Sequence, residues 1–100
     1  MKNSMYKNGY FVTAEIKARD NVDLNIVVKE LKSLQEKTLL EPGCEIFSIQ
    51  QSNENPAIFV IWEKFIDRDA LKKHYEYEHT KYYFSLNFTD VVQIFTADTI

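Results

Sequence analysis

Ile58 to His79 reads IFVIWEKFIDRDALKKHYEYEH, and the change of rhythm inside this stretch decides the fold. Residues 57 to 65 are apolar at nearly every position, the pattern of a strand covered on both faces. Asp67 then offers an N-cap, Asp69 suits the first turn of a helix, and Ala70, Leu71, His74, Tyr75 and Glu78 follow at helical spacing. A strand running into a helix brings Trp62, His74 and His79 to one edge of a sheet, and chemistry is expected there.

Outward from this stretch the chain keeps the same alternation of elements. Tyr10, Val12, Ala14, Ile16 and Ala18 occupy alternate positions of a first strand. Asp20 and Asn21 are placed to start a helix whose stripe is Leu24, Val27, Val28, Leu31, Leu34 and Leu39, ending before Pro42 and Gly43. Residues 44 to 51 form a second strand, residues 79 to 86 a short helical turn, and residues 91 to 97 a last strand. This order is the ferredoxin-like βαββαβ arrangement, an α+β fold with an antiparallel sheet and its helices on one face. Residues 1 to 9 read as an N-terminal extension and 10 to 100 as one domain. Phe11, Phe47, Ile49, Phe59, Ile61 and Phe65 are assigned to the opposite sheet face, which implies a homodimer packed sheet to sheet, a dimeric α/β-barrel type of assembly.

The 100 residues carry a net charge of −3 with the cations scattered, so no basic stripe exists for nucleic acid. No apolar run is long enough to span a bilayer, and the one cysteine, Cys44, permits no intrachain disulfide. The expected location is the cytoplasm, with no membrane partner. Gly9 and Gly43 are the only glycines, so a phosphate-cradling glycine loop is unsupported and no nucleotide cofactor is expected.

Ala14-Glu15-Ile16, Glu41-Pro42-Gly43-Cys44, Trp62-Glu63-x-Phe65 with Asp67, and Ala70-Leu71 followed by His74 and His79 together resemble the antibiotic biosynthesis monooxygenase domain family, including its small quinol monooxygenase-like members. The resemblance spans most of the chain. It implies a dimeric ferredoxin-like unit with a pocket between sheet and helices, a small aromatic or quinol-like substrate, molecular oxygen as co-substrate and no cofactor. It also extends to an isomerase of a phosphorylated signal. The haem-degrading branch is less similar, because Ile16 stands where that branch has an Asn and His74 where it has a Trp.

His74 shares a helical face with Ala70 and Leu71 and points inward, either as a core histidine bonded to a carbonyl or as a base. The resemblance favours the base. His79 lies about 140° around an ideal helix from His74, so no metal is expected at the pair; it is assigned to the pocket mouth as a second catalytic residue. Trp62 and Glu63 must face opposite ways, and Trp62 is placed in the pocket as a wall for an aromatic ring, with Glu63 on the dimer side near Glu15. Ile16 and Tyr83 complete the expected substrate-binding set, and Cys44 reads as a small buried thiol. Three functions fit: a cofactor-independent monooxygenase, an isomerase of a hydroxy-ketone in which His74 and either His79 or Glu63 move protons between neighbouring carbons, and a dimeric small-molecule-binding protein without catalysis.

Overall fold

The computed structural model describes residues 7 to 100. The elements run β1 (Tyr10–Ala18), α1 (Leu24–Thr38), β2 (Cys44–Gln51), β3 (Ile58–Phe65), α2 (Arg68–His74), α3 (Glu78–Ser85) and β4 (Thr89–Asp98). The strands form one antiparallel sheet in the order β2-β3-β1-β4, the ferredoxin-like topology expected from the sequence. Residues 1 to 6 of the expected N-terminal extension lie outside the described residues.

Alternation along β1 buries Val12, Ala14, Ile16 and Ala18 against the helices, where Val27, Leu31 and Leu34 of α1 meet them. Burying each larger aliphatic side chain stabilises the fold by roughly 1.5–3 kcal/mol. The start of α1 differs from expectation: Asp23, not Asp20 or Asn21, is the cap, its carboxylate accepting from Asn25 N–H at 2.8 Å. Asn21 instead takes φ 67°, a left-handed turn that asparagine tolerates, and so re-aims the chain into the helix.

The register corrects which side chains of β3 look at the helices. Val12 pairs with Glu63, Ala14 with Ile61 and Ile16 with Phe59, so Glu63, Ile61 and Phe59 share the face of the β1 core residues. Phe47, Ile49 and Phe65 join them from β2 and β3. Of the six residues assigned to the outer face, only Phe11 is there. Trp62 pairs with Thr13 and Ser48 on that outer face and is 47% exposed. The reason is parity: in a strand apolar at consecutive positions, periodicity gives no phase, and tertiary packing chose the set that contains the carboxyl. Beside Trp62, Lys64 is fully buried on the outer face, paired with Glu45 at 3.1 Å and 5.7 Å above the Phe11 ring.

Gly43 seats the start of β2 against α2. Its carbonyl accepts from Ile66 N–H at 2.9 Å, and a Cβ there would stand 2.5 Å from Ala70 Cβ. This close approach holds the residues just before Gly43 beneath the two short helices.

Candidate active site

The two histidines converge because the helix that would have separated them is broken. α2 ends at His74 with Tyr75 as its C-cap, and α3 begins at Glu78 with Tyr77 in extended conformation as its N-cap. His79 is thereby turned back toward His74, and the 140° separation of an unbroken helix does not apply. Their ring centroids lie 6.3 Å apart.

Glu41, in the connection from α1 to β2, receives both rings. His74 Nδ1–H donates to Glu41 Oε2 at 2.8 Å, and His79 Nε2–H donates to the same oxygen at 2.6 Å. Glu41 and His74 are buried, and the His79 side chain is 15% exposed. A buried carboxylate is tolerated when charge-assisted hydrogen bonds replace its water, and two imidazole donors supply them here. With Nδ1 protonated toward Glu41, the tautomer leaves the His74 Nε2 lone pair available. Burial pulls His74 below the usual imidazole range, against the raising effect of Glu41, so the ring is neutral at physiological pH.

Glu41, His74 and His79 each present a ligand atom within 4.8 Å of the others, a two-histidine, one-carboxylate set that could hold a divalent ion. Ligands about an ion at 2.0–2.1 Å stand roughly 2.8–3.4 Å from one another, from octahedral to tetrahedral geometry. The 2.6 Å separation to His79 is shorter than that range and the 2.8 Å separation to His74 sits at its lower limit; both match hydrogen bonds.

His74 lines a mainly apolar cavity of about 160 Å³ between the sheet and the helices, together with Ile16, Phe47, Ile61, Glu63 and Tyr83. Phe84 of α3 and Val91 and Ile94 of β4 form its half-exposed rim. Glu63 is 7% exposed, and burial, reinforced by the charge of Glu41, pushes its carboxyl up to about 8. The Tyr83 hydroxyl is engaged with Thr89 Oγ1 at 3.0 Å, and burial raises its pKa. Cys44 is pushed up to about 12, again mainly by burial, and is therefore no thiolate nucleophile at neutral pH.

Of the expected site residues, His74, Ile16 and Tyr83 line one cavity. His79 shares Glu41 with His74 but does not line that cavity, and it borders a separate small recess with Lys37 and Tyr82. Trp62 is on the far side of the sheet, contrary to expectation. Glu41 is an addition, and Glu63, expected on the dimer side, lies in the cavity. Glu41 sits in the quoted Glu41-Pro42-Gly43-Cys44 stretch, yet nothing in its spacing marks it as buried. Glu63 was legible only as one of two adjacent residues of which one must face the helices.

The family model described as antibiotic biosynthesis monooxygenase matches residues 10–85. Uncharacterized protein YjcS of Bacillus subtilis (strain 168) is 32% identical over 71 residues, covering 71% of this chain and 68% of that protein. A solved structure of protein YJCS superposes with a TM-score of 0.84 at 28% identity, covering 89% of this chain and 96% of that one. A crystal structure described as an antibiotic biosynthesis monooxygenase gives 0.83 at 26% identity, covering 91% and 98%. No helix among the described residues is long and apolar enough to cross a membrane. With the family match covering three of the four strands and all three helices, the chain belongs to the antibiotic biosynthesis monooxygenase family.

Proposed function

We propose that the protein is a cofactor-independent monooxygenase acting on a small phenol or quinol, and that it works as a homodimer. The observation that carries this reading is the buried Glu41–His74 hydrogen bond, which fixes a neutral imidazole at the wall of an apolar cavity. His74 Nε2 takes the proton of a substrate hydroxyl, and Glu41 stabilises the imidazolium that results. The phenolate passes one electron to molecular oxygen, and the two radicals combine at a ring carbon that carries hydrogen. The proton of that carbon passes to the terminal peroxide oxygen as the O–O bond breaks, leaving a carbonyl on the ring and expelling hydroxide. The expelled hydroxide takes up the proton held by His74 and departs as water. One oxygen atom ends in product, one in water, and the substrate supplies both electron pairs. The apolar wall excludes competing water and holds the ring in place.

The dimer is supported by the outer face, where Trp62 and Phe95 are 47% and 60% exposed on one side of the sheet. A second reading is favoured by the presence of two proton-handling groups, His74 and Glu63, in one cavity. Such a pair could move a proton between neighbouring carbons of a hydroxy-ketone without oxygen. The cavity lining includes no Lys or Arg among the described residues, so a phosphorylated ligand has no counter-ion there.

Oxygen consumption by metal-stripped protein against quinols and anthrones, with His74→Ala beside it, separates these readings. Uptake that requires His74 and no added cofactor is expected. Uptake unchanged in His74→Ala refutes the assignment of the base, and anaerobic deuterium exchange into a hydroxy-ketone without oxygen uptake supports the isomerase.

A further inference from the structure

The carboxyl of Glu63 is the unexplained polar group of the cavity. It is 93% buried, lines the same space as His74, and makes no hydrogen bond or ion pair with any described residue. Ion pairs join Arg19 to Asp90, Lys64 to Glu45 and both histidines to Glu41, and Glu63 belongs to none of these. A buried polar group without a protein partner is satisfied by water or by a ligand. The groups facing it are also unusual. Glu41 and Cys44 approach from the start of β2, His74 from α2, Tyr75 from its C-cap and Tyr83 from α3, and none of them is a lysine or arginine.

We infer that Glu63 is the specificity-determining residue of this cavity: it holds a hydroxyl or carbonyl oxygen of an uncharged, single-ring ligand whose other oxygen meets His74, and it shuts out anions. This deepens the proposed function and rests on the same cavity. Size supports a single ring, because about 160 Å³ is close to the roughly 150 Å³ apolar cavity that accommodates benzene in an engineered protein. Charge supports neutrality, because a ligand carboxylate or phosphate would be buried beside Glu63, with the Glu41 carboxylate behind His74 and no lysine or arginine in the lining to offset it. Chemistry supports an oxygen partner, because a protonated carboxyl both donates and accepts and so complements a hydroxyl or a carbonyl equally. Glu63 and His74 then grip a ring through two separated oxygens, and the apolar residues between them accept its faces and edges.

The test is anaerobic calorimetric titration at pH 7 with four probes: hydroquinone, phenol, 4-hydroxybenzoate and 1,4-dihydroxynaphthalene. Hydroquinone should bind roughly 3- to 10-fold more tightly than phenol, the worth of one additional hydrogen bond. The other two probes should bind more weakly than hydroquinone by about tenfold or more. Glu63→Leu should erase the preference for hydroquinone while leaving phenol within about twofold, and the isosteric Glu63→Gln, which retains a donor and an acceptor, should preserve it. Equal affinity for hydroquinone and phenol, tight binding of 4-hydroxybenzoate, preference for the two-ring diol, equal losses for both phenols in Glu63→Leu, or no binding of any probe overturns the inference. Because oxygen is absent, discrimination by Glu63 without later oxygen uptake would reject the oxygenase reading alone, and uptake indifferent to Glu63 would reject the inference alone.

Discussion

Glu41 Oε2 lies 2.8 Å from His74 Nδ1, across 33 residues of chain, and this one contact sets the tautomer of the only imidazole that borders the cavity. A carboxylate that orients a histidine acts through it, so Glu41 is a positioning residue and His74 the group that meets substrate.

Glu41→Gln should therefore separate orientation from folding. The amide carbonyl still accepts one N–H, but the charge that stabilises the imidazolium is gone. Oxygen uptake is expected to fall by about 10²- to 10⁴-fold, as when the acidic member of a catalytic triad is neutralised. Glu41→Ala leaves two imidazole donors short of a partner and should lower stability by roughly 2–4 kcal/mol, read as a lower melting temperature.

The two histidines should not be equivalent. His74→Ala is expected to abolish oxygen uptake to background. His79→Ala, which removes one donor to Glu41 outside the cavity, should retain activity within roughly ten- to a hundredfold of wild type. Equal losses would show that the pair works as a unit on the substrate.

Glu63 gives stability a defined pH dependence. Its carboxyl is raised from an ordinary 4.5 to about 8, so the folded chain keeps a proton that the unfolded chain releases above 4.5. Between those values folding takes up a proton, and stability contributed by Glu63 falls as pH rises, reaching its full loss above about 8. The loss is on the order of 3–5 kcal/mol. Glu63→Gln should melt higher than wild type at pH 9 and differ little at pH 4. His74 works in the opposite sense: its lowered pKa means that stability falls as pH drops below the ordinary 6.5. The activity profile should rise as His74 loses its proton and decline as Glu63 loses its own near 8, and the upper limb should vanish in Glu63→Gln.

Gly43 is predicted to be intolerant of a side chain. Gly43→Ala would force a contact of 2.5 Å with Ala70 Cβ, which neither backbone can evade without moving α2. A loss of about 1–3 kcal/mol is expected from overpacking, measured by denaturant titration, with Gly43→Ala recovered in part by Ala70→Gly.

The outer sheet face should govern assembly. Trp62→Glu together with Phe95→Glu is expected to give a monomer by sedimentation velocity, since both side chains are exposed on that face in the single chain. A wild-type protein that is already monomeric at micromolar concentration would dispose of the homodimer.

The topology was readable because it rests on local signals. Alternation in β1, the stripe of α1, Pro42 and the cap at Asp67 each fix an element within a few residues of itself. Two kinds of information were not local. The phase of β3 could not be read, because Ile58 to Trp62 is apolar at every step and offers no contrast between faces; the pairing with Val12 and Phe47 decided that Glu63 faces inward. The convergence on Glu41 was equally hidden. It requires the break between His74 and Glu78, where no glycine or proline gives warning, and a carboxylate that enters from the far end of α1. The inward aim of His74 emerged from helical spacing, its role as a base and the Ile16 position from the family resemblance, whereas the two glutamates needed tertiary structure to be placed.

That same convergence ties function to completeness of the fold. Glu41 reaches 33 residues forward to His74 and 38 to His79, so no short fragment and no partly folded chain contains the site. Closing such long loops is an entropic step that folding completes only when β2, β3 and the two short helices are all docked. Heat inactivation should then track global unfolding with no active intermediate, and catalytic turnover becomes a direct assay of how many molecules in a sample are native.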